Sequence, residues 1–127
     1  MENIHDLIIN RRSIRRYTDQ PVDADHVRLI LEAGLMSPTS KNSRSWSFVV
    51  VEEKEMLQRL GDLKPSYAAS IANAPLAIVV CSDMTKSEAW IEDASVAASF
   101  MMLQAADLGL GSCWVEVRDR YREDGEP

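Results

Sequence analysis

Four arginines fall within six residues near the amino terminus, in the run Arg11-Arg12-Ser13-Ile14-Arg15-Arg16-Tyr17. A guanidinium is a planar fork of donors that meets a phosphate with two parallel hydrogen bonds. Several such forks beside a hydroxyl suit a dianion. A solvated basic loop, or a patch that binds RNA or another anion, draws on the same residue types. A second run, Ser37-Pro38-Thr39-Ser40-Lys41-Asn42-Ser43-Arg44-Ser45, supplies hydroxyls, an amide and backbone groups. That set fits a polyol chain or a heterocycle edge with alternating donors and acceptors, and equally an ordinary surface connection.

Other chemistries lack their residues. His5 and His26 are the only histidines, and neither sits in a nucleophile-and-base or HExxH context. Cys81 and Cys113 are too few and too far apart for a disulfide scaffold or a CxxC metal site. Both lie in apolar, strand-like runs and read as packed small hydrophobes. Gly109-Leu110-Gly111-Ser112 lacks both the GxGxxG and the GxxxxGK[ST] spacings, so it supports neither a dinucleotide fingerprint nor a P-loop.

The elements that must position these residues follow from periodicity. Residues 3–10 read as a short helix with Ile4, Leu7 and Ile8 on one face, and residues 11–22 as a loop. Asp23 caps a helix to about Leu35, with Val27, Ile30 and Leu31 at helical spacing. The polar run 37–45 has too little apolar side chain to anchor itself in a core. Residues 46–51 are a strand, and 53–60 a helix ended by Gly61. Residues 65–72 form a short helix with Pro65 in its first turn. The continuous apolar run 76–81 predicts a central strand covered on both faces. Residues 87–108 form a long Ala- and Met-rich helix, apolar nearly all round, to be buried centrally or against a second subunit. Residues 112–117 read as a third strand, and 118–127 as a charged loop or cut edge. Three strands make a thin sheet, which points to a missing one.

Composition sets the frame. The 127 residues make one domain, residues 1–127, with 46% hydrophobic and 27% charged residues, an ordinary globular balance. The net charge of −6 repels nucleic acid and anionic membrane, apart from the local arginine cluster. No apolar run approaches bilayer length, and the start has no secretory pattern, so the cytoplasm is the expected compartment.

Taken in order, these segments resemble the nitroreductase family of FMN-dependent oxidoreductases. The resemblance rests on the arginine run, on residues 37–48 through Trp46 and Phe48, on Ala74-Pro75-Leu76-Ala77-Ile78-Val79-Val80, on Asp93, and on Gln104-Ala105-Ala106-Asp107-Leu108-Gly109-Leu110-Gly111-Ser112. It covers about Ile4 to Val117, and the first two motifs in tandem are its most specific part. It implies an α+β fold, a three-layer α/β/α sandwich with a central, mostly antiparallel sheet. It places Arg11 and Ser13 at the ribityl-phosphate end of FMN and Arg15 at the pyrimidine edge, with Arg12 as a variable neighbour. It places Pro38, Thr39, Ser40 and Asn42 in a loop that contacts the flavin from the other subunit of a homodimer. It lays the strand end from Trp114 to Glu116, by its backbone, near the reactive N5.

The resemblance also implies an activity: NAD(P)H reduces FMN, leaves, and a nitroaromatic, quinone or similar conjugated acceptor takes its place in a ping-pong cycle. Flavin chemistry asks the protein mainly for placement and electrostatics. A cation at the pyrimidine edge, Arg15 on this reading, favours the reduced ring. Alternatives within flavin chemistry are a flavin-fragmenting or dehalogenating branch, or a non-catalytic FMN-binding or storage module. The chain departs from the family pattern in three respects. Arg44-Ser45 stands where Gln-Pro is usual before the tryptophan, which predicts a looser loop. The family continues beyond the point matching Pro127, through another helix and strand. No side chain stands out as a general acid.

Overall fold

The computed structural model describes residues 3–118. Helix α1, Ile4–Asn10, starts where the Asn3 side chain accepts the Asp6 N–H at 2.9 Å. Leu7 is its buried residue, while Ile4, Ile8 and Ile9 are exposed. Helix α2, Ala24–Leu35, has the expected cap: Asp23 accepts the Asp25 N–H at 2.8 Å. Val27, Ile30 and Gly34 recur on its buried face.

Strand β1, Trp46–Val51, pairs antiparallel with β2, Ala77–Ser82, in a register running from Trp46 opposite Ser82 to Val51 opposite Ala77. Trp46 and Phe48 stack on one face of β1, ring centroids 5.4 Å apart, and Val49 faces out. Helix α5, Trp90–Asp107, packs along α2 and onto the sheet. Its buried positions form one stripe, Asp93, Ala97, Met101 and Ala105, each four residues from the next. Ile30, Met101 and Ala105 make the core, with Phe48, Ile78, Val80, Leu108 and Leu110 packed against it. At Gly34 a Cβ would lie 3.0 Å from both Met101 Sδ and Phe48 Cζ, so glycine lets α2 approach α5 and β1.

A smaller cluster joins helix α3, Lys54–Asp62, to helix α4, Pro65–Ala68, and the 3-10 turn Ala69–Asn73, with Leu57 and Ala68 buried. The fold is thus α+β with an antiparallel sheet.

Four details differ from the sequence reading. Gly61 does not end its helix. It lies inside α3, where a Cβ would come within 3.1 Å of Ala72, so it serves close packing. Residues 112–117 form no strand: a strand needs a partner, and among the described residues their one pairing is a single bridge from Ser112 to Ser13. Among the described residues the sheet therefore has two strands, and β2 is half-buried, because no third strand flanks it. Cys81 points to solvent on β2, and Cys113 is half-buried. The tail beyond Arg118 lies outside the described residues.

Candidate functional site

Helix α1 and the turn after α5 bring the arginine run against a glycine-bearing segment. Helix α5 ends in a Schellman turn. Gly109 sits at φ 78°, its N–H reaches Ala106 O at 3.0 Å, and the Leu110 N–H reaches Ala105 O at 2.9 Å. The chain then runs beside the arginines. The Ile14 N–H donates to Ser112 O at 2.9 Å, and Ser13 and Ser112 form a parallel bridge. A Cβ on Gly111 would lie 2.9 Å from the Ile14 Cβ, so only glycine permits this approach. A cavity of about 340 Å³ opens here, lined by Leu7, Arg11, Arg12, Ile14, Gly109 and Ser112 among others.

The arginines divide the work. Arg12 Nη1 donates to Ile9 O at 2.6 Å and to Arg11 O at 2.8 Å, so it folds back over the carboxyl end of α1, where a cation opposes the helix dipole. Among the described residues no group pairs with the guanidinium of Arg11, Arg15 or Arg16. Tyr17 donates its hydroxyl to Ile14 O. Burial pushes its phenol above the ordinary pKa, Cys113 adds to the rise, and Arg15 opposes it. Further along, Trp114 is exposed, and Glu116 pairs with Arg118 at 3.5 Å.

The polar loop is built differently from its sequence reading. Its 3-10 turn, Ser40–Asn42, and Arg44 contain three left-handed residues other than glycine: Lys41 at φ 54°, Asn42 at φ 54° and Arg44 at φ 49°. Such conformations cost about 1 kcal/mol or more each and persist only where the surroundings enforce them. Some of the enforcement is local: Arg44 N–H donates to Thr39 Oγ1 at 3.1 Å, and Arg44 Nε to Asn42 Oδ1 at 3.2 Å.

The rest comes from Asp93, a residue that sequence reasoning did not single out for the site. It is 3% exposed. Its Oδ1 accepts the Ser40 N–H at 2.9 Å, and its Oδ2 accepts the hydroxyls of Ser43 at 2.9 Å and Ser45 at 3.1 Å. The Ser87 side chain donates as well. Burial pushes the Asp93 carboxyl up, but the bonds from Ser40, Ser87, Ser43 and Ser45 outweigh it and hold the pKa below the ordinary carboxylate value. The available signal was a carboxylate in register with Ala97, Met101 and Ala105 on the buried face of α5. Ser45, expected to loosen the loop in place of a proline, is instead 4% exposed and also 2.9 Å from Ser82 Oγ on β2.

These two clusters do not converge within one copy of the chain. Asp93 holds the loop at the amino end of α5, and Ala106, at its carboxyl end, lines the arginine cavity. Thirteen residues of α-helix separate them, about 20 Å. Arg11 and Ser13 are gathered with Gly111 and Ser112, Arg15 does not line that cavity, and Pro38, Thr39, Ser40 and Asn42 stand apart from them. Among the described residues there is no cluster of His, Cys, Asp and Glu able to hold a metal, and no helix is long and apolar enough to cross a membrane.

Comparison with known proteins gives the same assembly of segments. A Clostridium difficile structure described as an FMN-dependent nitroreductase is 47% identical and superposes with a TM-score of 0.90, covering 94% of this chain and 70% of that one. A Desulfovibrio desulfuricans protein crystallised in complex with FMN is 33% identical, with a TM-score of 0.80 over 91% of this chain and 70% of its own. A relative from Methanothermobacter thermautotrophicus is 36% identical over 118 residues, 91% of this chain, and the chain spans 61% of that relative's length. An FMN reductase [NAD(P)H] of Bacillus subtilis is 29% identical over 93 residues. The model of the nitroreductase family matches residues 8–66 and 62–123. With both signature loops and the long helix between them falling inside those matches, the chain belongs to the nitroreductase family.

Proposed function

We propose that the chain is the FMN-binding unit of an NAD(P)H-dependent oxidoreductase that acts as a homodimer and reduces nitroaromatics, quinones or similar conjugated acceptors. The observation that carries this reading is the pair of polar clusters at opposite ends of α5. A ligand that needs both must take the arginine end from one copy and the Asp93-held loop from another. Exposed Ile4 and Ile8 on α1 and Phe100 on α5 supply apolar surface for a second copy.

The residues present fit FMN. A phosphate dianion needs forked cationic donors, and Arg11 offers at the cavity a guanidinium that no group among the described residues pairs with, with the Ser13 hydroxyl two residues on. Arg15 would set positive charge toward the pyrimidine edge. Pro38, Thr39, Ser40 and Asn42 of the second copy would face the ring and ribityl chain, and the backbone from Trp114 to Glu116 would border the reactive edge. FMN held there would supply the hydride-transfer chemistry between NAD(P)H and the acceptor. The protein's share is to grip, orient and neutralise. That share needs no side-chain nucleophile or metal. The names of the Clostridium difficile and Bacillus subtilis relatives support the cofactor and the donor.

An absorbance spectrum of the purified chain with added FMN, sedimentation at several concentrations, and titration with NADH and NADPH test the reading. It expects a perturbed flavin band, a dimer carrying two flavins, and bleaching by reduced nicotinamide followed by reoxidation with a quinone. A monomer that leaves the FMN spectrum unchanged would end it.

A further inference from the structure

The polar loop is tied to the fold at its two ends and in its middle. Buried Ser37 donates to Gly34 O at 2.7 Å at the start, and Ser45 O accepts the Asp83 N–H at 2.8 Å at the end. Between them, where the chain has little apolar side chain and three left-handed residues, Asp93 takes the Ser40 N–H on Oδ1 and the Ser43 and Ser45 hydroxyls on Oδ2. A carboxylate only accepts, so each hydroxyl must spend its hydrogen on Asp93. The direction of the next link follows: Ser45 Oγ can only accept from Ser82, whose hydroxyl lies 2.9 Å away on β2. The chain of donors runs Ser82 to Ser45 to Asp93, and it ties the loop to both the sheet and α5.

The attachment uses groups that a ligand would not. Asp93 takes the backbone N–H of Ser40 and leaves its side chain exposed. It takes Ser43 and Ser45 and leaves Pro38 and Thr39 outside the network of carboxylate bonds. Where the family pattern has proline, this chain has Ser45, 4% exposed and doubly hydrogen-bonded.

We propose that Asp93 is a positioning residue for the ligand-facing loop: its carboxylate, through Ser40, Ser43 and Ser45, holds Pro38, Thr39, Ser40 and Asn42 in the arrangement that receives the flavin. The proposal rests on the FMN reading above. It adds that the arrangement is set from the amino end of α5, by a residue that itself touches no ligand.

The test compares wild-type protein with Asp93→Ala, Asp93→Asn and Ser43→Ala. Flavin fluorescence gives FMN affinity, the visible band reports the ring environment, and thermal unfolding of the flavin-free protein reports the fold. Ser43→Ala removes one bond to the carboxylate without altering α5. It should lower the unfolding temperature by no more than a few degrees, weaken FMN about tenfold through the loosened loop, and shift the visible band. Asp93→Ala should weaken FMN more than Ser43→Ala. Asp93→Asn should fall between them, because an amide still accepts at one position and the hydroxyls can turn to accept from the other.

Wild-type FMN affinity and band shape in Ser43→Ala would overturn the proposal, and would do so even if both Asp93 variants failed to fold. Wild-type protein that binds no FMN would instead overturn the functional reading, and the positioning role with it. The two failures are told apart by the wild-type titration.

Discussion

The division of labour between Arg11 and Arg12 gives the sharpest test of the site. Neighbouring arginines in a basic run look interchangeable in sequence, but the structure uses them in opposite ways. Arg12 donates to Ile9 O and Arg11 O and covers the carboxyl end of α1. Both side chains line the cavity, but Arg11 has no protein partner among the described residues. Removing a forked guanidinium from a phosphate forfeits about 2 kcal/mol, the middle of the range for hydrogen bonds to charged groups, or about thirtyfold in affinity. Arg11→Ala should therefore raise the FMN dissociation constant about thirtyfold and leave urea denaturation of the flavin-free protein unchanged. Arg12→Ala should do the reverse, lowering stability by about 0.5–1 kcal/mol through the exposed helix end while affinity moves less than about threefold. Fluorescence titration and urea denaturation on the same preparations read both quantities. Equal effects of the two substitutions on FMN, or a larger one from Arg12→Ala, would refute the assignment of the phosphate to Arg11.

Gly111→Ala should force Ile14 away from the turn, because the new Cβ would sit 2.9 Å from the Ile14 Cβ, an atom fixed to the backbone. FMN affinity should fall, and the Ile14 amide, bonded to Ser112 O, should lose hydrogen-exchange protection. Gly61→Ala meets Ala72 Cβ and N at 3.1 Å; overpacking of about 1–3 kcal/mol, less about 1 kcal/mol of helix propensity, predicts a net loss visible in urea denaturation. Acid should release the polar loop. The Asp93 pKa is depressed in the fold, so its contribution is complete above the ordinary carboxylate pKa and disappears as pH falls through the lowered value. Loop amides such as that of Ser40 should therefore stay protected from exchange at pH 5 and lose protection below about pH 4; protection that is flat with pH would count against the carboxylate's role.

What could be read from the sequence divides by kind of interaction. Helices α1, α2 and α5 were legible because apolar periodicity and caps are local, and Asp23 shows how directly a cap transfers from pattern to structure. Gly61 was misread because glycine as a helix stop and glycine as a packing notch look alike until the neighbour, Ala72, is known. Residues 112–117 have strand composition, yet strand formation depends on a partner edge, and one bridge to Ser13 is all they find. The arginine run stood out by density alone, but its division into a helix cap and a free cation depends on side-chain direction. The polar loop was half legible: it has too few apolar side chains to join the core, and it is held by hydrogen bonds instead, among them those to a buried carboxylate fifty-three residues away from Ser40.

The buried carboxylate gives α5 more than a packing role. Along its buried stripe, Ala97, Met101 and Ala105 join the common core, while Asp93 at one end holds the polar loop and the Schellman turn at the other starts the segment that lies against the arginines. A helix of this kind is a rigid spacer with a different instrument at each end. Its length keeps the two instruments about 20 Å apart in one copy. On the proposed dimer, joining two copies through exposed apolar surface would offer each arginine cluster a loop from its neighbour. On this reading, a change in the middle of α5, such as Met101→Ala, alters the spacing or tilt of both ends at once. It should weaken flavin binding together with dimer formation, whereas Arg11→Ala weakens flavin binding and leaves the dimer intact.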